Sequence, residues 1–177
     1  MPADLLDALR AGTASRHTQL DRAVSGYPIS TRSGYERFLR LQAAVLPTVE
    51  AWLVLQPLYR TLPDFDARLR TGALINDMET LGLPRPLGSG GTRLDDGMSV
   101  VGICYVLEGS RLGAASLNSM LDQSCADVPR AFLNHGKGER YWRSFLQWMA
   151  ERDRSTQAVD EAVTAAQELF DAYLAAA

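Results

Sequence analysis

Gly109 and Gly113 stand four residues apart in Tyr105-Val-Leu-Glu-Gly-Ser-Arg-Leu-Gly-Ala-Ala-Ser116, a run that otherwise has helical spacing. A glycine inside a helix costs about 1 kcal/mol against alanine, so the pair marks a place where something comes close to the backbone. Two kinds of neighbour fit. A second helix can pack closely against such small residues, and a flat ligand can lie along the strip that two missing Cβ atoms clear one turn apart.

The chain has two histidines. His17 sits in a stretch where Leu5, Leu6, Leu9, Thr13, Leu20 and Val24 recur near every 3.6 residues, the mark of an amphipathic helix. Thr13 precedes it by one turn and Asp21 follows it by one turn. A lone helical histidine is either a satisfied packing or surface residue, or a ligand. Asp21 is likewise either a solvent-facing charge or the acceptor that holds one imidazole nitrogen. His135, in Asn134-His-Gly-Lys-Gly138, reads as a solvent-exposed loop residue. Neither histidine follows a glutamate at the spacing that a di-iron bundle uses.

The elements that must position these residues all read as helices. The first begins after Asp4, a candidate cap, and ends at Gly26-Tyr-Pro28; the second follows the cap signal Thr31-Arg-Ser33 and carries Pro47, which predicts a kink or break at 46–47. Apolar spacing from Phe65 to Leu81 predicts one helix or a pair closed by Gly82. Residues 84–97 form the one extended loop, with two prolines and four glycines. Met98–Leu121 is the central apolar stretch, and Pro129–Trp148 and Thr156–Leu174 have helical spacing. Val100–Val106 is rich in β-branched residues but runs on without a turn signal, which favours a buried helix. The expected fold is all-α.

At 177 residues and 19.4 kDa, residues 1–177 fit a single domain. The formal net charge is −3 with no basic run, which argues against a nucleic-acid partner. Cys104, in an apolar run, is expected to pack as a small hydrophobe, and no disulfide with Cys125 is expected. Charged or polar residues interrupt the apolar stretches before the length a membrane span needs, and no signal pattern opens the chain, so a cytoplasmic protein is expected.

Thr13-Ala-Ser-Arg-His-Thr-Gln-Leu-Asp21 followed by Tyr105-Val-Leu-Glu-Gly-Ser-Arg-Leu-Gly-Ala114 resembles the bacterial haem oxygenase family, in particular the branch that supplies biliverdin to bacterial phytochromes. Tyr35-Glu-Arg-Phe-Leu39, the Arg70–Gly82 stretch, Tyr141-Trp-Arg-Ser-Phe145 and the alanine-rich end with Phe170 fall in the family's order, so the likeness spans most of the chain.

The resemblance implies one helical domain that holds haem between a proximal helix and a kinked distal helix. His17 would ligate the iron, and Gly109, Ser110 and Gly113 would line the distal, catalytic side. Thr13 and Asp21 would stand beside the ligand, and Arg10 and Arg143 would hold the haem propionates, with Arg16 and Arg140 as nearby competitors. Haem would be both substrate and cofactor, opened with O2 and electrons from an external ferredoxin or reductase to biliverdin, CO and ferrous iron. A bacterial phytochrome would be the acceptor of biliverdin. Ser110 stands where the animal enzymes carry aspartate, and Ala114 replaces a further glycine, so proton delivery must rest more on water and backbone. Two other readings remain open: a non-catalytic haem-binding or haem-sensing protein of this fold, and a helical bundle that acts through protein contacts.

Overall fold

The structure, a computed structural model, describes residues 4–85, 94–95, 97–124, 127–152 and 154–177. Within them the chain folds into α1 (Leu5–Ser25), α2 (Arg32–Leu53), α3 (Thr71–Thr80), α4 (Val100–Ser110), α5 (Ala114–Gln123), α6 (Ala131–Asn134), α7 (Tyr141–Ala150) and α8 (Thr156–Ala176). Short 3-10 turns lie at Tyr59–Thr61 and Arg111–Gly113, and no strand occurs among the described residues.

Helix starts follow local chemistry at three points. The side chains of Thr31, Ser99 and Ser155 accept from Gly34 N, Gly102 N and Ala158 N, which satisfies amides that a helix N-terminus leaves without partners. Asp4 precedes α1 without a side-chain cap bond. α2 runs through Pro47, so the expected break at 46–47 does not occur. The buried run of Leu39, Val45, Leu46, Val49 and Leu53 holds the helix together across the missing donor.

Two further expectations are corrected. The Phe65–Leu81 stretch forms a helix only from Thr71, and Pro63 to Leu69 is a series of turns in which Asp64 has a positive φ of 57°. The Pro129–Trp148 stretch is split into α6 and α7, because Gly136 takes φ 75°, which ends the helix, and a Cβ there would meet the Tyr141 ring at 2.7 Å. Most of the 84–97 loop, and Cys125, lie outside the described residues. Cys104 is free and buried, as expected of a small hydrophobe.

α8 is the element on which the rest is assembled, for it packs against α1, α2 and α4. Its inner face is small near the start, at Ala162, Ala165 and Ala166, then large at Leu169, Phe170 and Tyr173. Two glycines exploit the small end. A Cβ on Gly102 of α4 would overlap the Ala162 carbonyl oxygen and lie 3.0 Å from Ala166 N; a Cβ on Gly12 of α1 would run into Val163 Cγ1. Gln167 Nε2 donates to Gly12 O at 2.7 Å and Arg16 Nε to Asp171 Oδ1 at 2.7 Å, so α1 and α8 run side by side in the same direction.

Val100–Gln123 is long and apolar enough by composition to span a membrane, at a mean hydropathy of 1.2. Here its α4 part lies in the core while α5 buries only Leu121, the 3-10 turn divides the two, and Glu108 is paired with Arg68 and Arg111.

The two close approaches differ in what they meet. Gly102→Ala pushes a methyl into backbone and should cost about 1–3 kcal/mol, lowering the melting temperature by roughly 2–10 °C. Gly12→Ala meets a side chain that can rotate and should cost less. Melting curves of the two variants beside the parent check the order.

Candidate functional site

α1 turns Leu5, Leu9 and Thr13 inward, but from Ala14 to Ser25 none of its residues is fully buried. His17 therefore has one wall and one open side. Its ring meets Phe170 of α8 edge-on at 5.9 Å, and its side chain remains 63% exposed. Nδ1 lies 3.0 Å from Asp21 Oδ2, one turn on. A carboxylate only accepts, so in neutral imidazole the proton sits on Nδ1 and the lone pair is left on Nε2. The i,i+4 spacing alone sets this arrangement up.

On the α4–α5 side the backbone changes pitch at Arg111–Gly113, where one 3-10 turn separates two α-helices. Gly109 and Gly113 behave quite unlike Gly102. A Cβ on Gly109 would find only Trp142 Cζ3, at an ordinary 3.8 Å, and a Cβ on Gly113 would find nothing within 4 Å. Close helix packing therefore does not explain this pair. The strip they clear is exposed at Ser110 and Gly113, with Leu112 60% and Met120 46% exposed alongside.

Ser110 is held from behind. Its hydroxyl donates to Leu107 O at 2.7 Å and accepts from Arg70 Nη2 at 2.9 Å. Its proton is thus already committed.

The other residues singled out in the sequence are placed as follows. Arg10 is exposed, 3.6 Å from Asp7. Thr13 is buried and gives its hydroxyl to Leu9 O at 2.7 Å, one helical turn before the exposed His17. Arg16 is tied to Asp171. Arg143 is exposed on α7 and makes no ion pair among the described residues, and Arg140 occupies the position before that helix. His135 is a correction: the chain tucks it in, partly buried, with Nδ1 3.2 Å from Arg111 Nη1. Burial, then the charges of Arg111 and Arg70, hold its pKa below the usual histidine value.

Sequence reasoning missed the buried charges behind the α4–α5 turn. Glu108 takes Arg68 at 2.8 Å and Arg111 at 3.1 Å, and Arg68 also donates to Pro63 O, Tyr141 O and Ser144 Oγ. The Tyr141 ring has both guanidinium groups near it, at 4.7 Å and 5.1 Å. Glu50 accepts from Arg70 N, Thr71 N and Thr71 Oγ1. Glu108 inside an apolar run was the one sequence signal, since a glutamate there must find a cation. Nothing local named Arg68 or Arg111 as its partners.

Two outcomes follow from this geometry. Gly113→Ala should leave the melting temperature of the ligand-free chain unchanged or raise it by a few degrees, because helix propensity gains up to about 1 kcal/mol and nothing is struck. His135→Gln should flatten the acid limb of stability. The folded pKa is below the unfolded one, so protonation favours the unfolded chain as pH falls through about 6.5, and the parent loses stability there. Urea midpoints of both proteins at pH 7.5 and 5.5 check this.

No family model and no curated protein matches the sequence. Among solved structures, the chain is similar to the NO- and CO-bound haem oxygenase of Neisseria meningitidis, at 24% identity over 98% of this chain and 90% of that one, with a TM-score of 0.80. The chain has the haem oxygenase fold.

Proposed function

We propose that the chain is a haem oxygenase. It binds haem as substrate and cofactor and converts it to biliverdin, CO and ferrous iron, with O2 and electrons from a ferredoxin or reductase. The observation that carries this reading is the His17–Asp21 pair: an imidazole on the open side of α1, its Nδ1 engaged, its Nε2 free, in a chain of this fold. The residues present fit the group. His17 supplies a neutral nitrogen ligand of the kind that leaves haem iron able to bind O2. Gly109 and Gly113 keep clear a strip that a Cβ at either would begin to fill.

Haem supplies the redox chemistry and the carbon skeleton that is opened; the chain's residues bind and orient. Asp21 fixes the ring orientation of His17 and raises its basicity through the Nδ1 proton. Arg10 and Arg143, both exposed, suit charge-assisted bonds to propionate carboxylates, and Arg143 has no competing partner among the described residues. Ser110 can take a water's hydrogen bond on its oxygen, and its own proton stays with Leu107 O. Protons must then reach the distal side through water that the hydroxyl positions.

That commitment of Ser110 also favours a second reading, a haem-binding or haem-sensing protein that does not open the ring. The resemblance to the phytochrome-associated branch extends the first reading to a cytoplasmic bacterial protein whose biliverdin passes to a phytochrome.

Haemin added to the purified chain should give a one-to-one Soret band, and ascorbate or a ferredoxin system under air should convert it to biliverdin. A Soret band without product would favour the second reading; no band would exclude both. His17→Ala should weaken the band strongly, with free imidazole restoring it. Replacing Arg10 or Arg143 by glutamine should weaken haem binding by about 1–3 kcal/mol each and alter the biliverdin isomer, measured by titration and chromatography.

A further inference from the structure

His17 stands on the open side of α1, where an exposed ring is free to turn unless something holds it. Two side chains bear on the imidazole. Asp21 Oδ2 lies 3.0 Å from Nδ1, but the two partners are 63% and 66% exposed, so donor and acceptor are surface groups on one helix and can swing together. Their hydrogen bond decides which nitrogen carries the proton; it does not fix the plane of the ring. The other side chain is Phe170 of α8, 7% exposed and packed in the core, whose ring meets the imidazole at 5.9 Å and 61°. That separation and tilt are those of an edge-to-face pair, an arrangement with a preferred angle.

α8 is a rigid reference at this level. Gln167 Nε2 donates to Gly12 O at 2.7 Å, and one turn further on Arg16 Nε donates to Asp171 Oδ1 at 2.7 Å. Successive residues of α1, Arg16 and His17, thus engage successive residues of α8, Asp171 and Phe170, and neither helix can slide or roll against the other without breaking one of these contacts. Of the two contacts on the imidazole, the one with Phe170 is the one referenced to the core.

We propose that Phe170 is a positioning residue for the iron ligand: its buried ring holds the His17 imidazole in one rotamer, while Asp21 sets the proton on Nδ1. The proposal rests on the reading of His17 as that ligand. An exposed histidine otherwise samples about three staggered χ1 wells within picoseconds to nanoseconds. Confinement to one of them raises the ligation-competent fraction, and with it haem affinity, about threefold.

The chain has two histidines, so histidine labelled with 13C in the ring reports on each separately, with His135 as internal control. In the haem-free parent the His17 ring should have an order parameter near the rigid value of about 0.85, and Phe170→Leu should lower it below about 0.6 while His135 is unchanged. Phe170→Tyr, which keeps the ring, should restore it. In haemin titrations Phe170→Leu should raise Kd about threefold, and the iron–histidine stretching band of the ferrous complex should broaden at unchanged frequency, since Asp21 is untouched. Leu169→Ala opens the core beside Phe170 and should lower the melting temperature yet leave the His17 ring rigid. A His17 ring as mobile in the parent as in Phe170→Leu overturns the proposal, as does equal mobilisation by Leu169→Ala. If Phe170→Leu does not fold, Phe170→Met takes its place with the same outcomes. A rigid His17 in a chain that binds no haemin overturns the ligand reading and the proposal together, whereas a mobile His17 in a parent chain that binds haemin overturns the proposal alone.

Discussion

Two backbone contacts on one helix fix the geometry on which the candidate site depends. Gly12 of α1 and Gly102 of α4 both approach the small-residue segment of α8 around Ala162–Ala166, closer than any side chain would permit. From those points α1 rises about 8 Å to His17 and α4 about 10 Å to Gly109, at 1.5 Å per residue. The wall bearing the histidine and the wall bearing the open glycines are thus both referenced to α8. Further along, α8 becomes bulky at Phe170, which meets the His17 ring. A narrow seam at one end and large residues beyond it suit helices that must pack and still leave a face open.

The second support is electrostatic. The α4–α5 turn interrupts helical hydrogen bonding, and buried arginines anchor it: Arg111 of the turn and Arg68 share Glu108, and Arg70 reaches Leu107 O and Ser110. Removing one partner of such a set leaves a buried charge uncompensated, a penalty of several kcal/mol, so the arrangement specifies where the turn sits more than it adds to stability. Asp77 does comparable work for α6. That four-residue helix is held because Asp77 accepts from Ala131 N at 3.0 Å and Phe132 N at 2.8 Å, although burial raises the carboxyl's pKa.

Much of this was legible in the sequence where the controlling interaction is local. The periodicity of α1 and α8, the Thr31 cap and the His17–Asp21 contact are all set within one or two turns. What the sequence hid was non-local. Two glycine patterns look alike on paper, yet Gly102 meets a neighbouring backbone and Gly113 meets nothing, and only tertiary packing distinguishes them. His135 read as a loop residue because its neighbours are Asn, Gly and Lys; Arg111, 24 residues away, draws it in. The continuous helix through Pro47 shows burial of its apolar face outweighing a lost hydrogen bond, a balance that no local rule fixes.

In the proposed haem complex His17, oriented by Asp21, is the iron ligand. Resonance Raman spectra of the ferrous haem complex test it directly. The parent should show an iron–histidine stretching band, Asp21→Asn should move that band to lower frequency as the imidazole becomes less basic, and His17→Ala should abolish it. A band that persists unchanged in His17→Ala would contradict the assignment and place the ligand elsewhere in the chain.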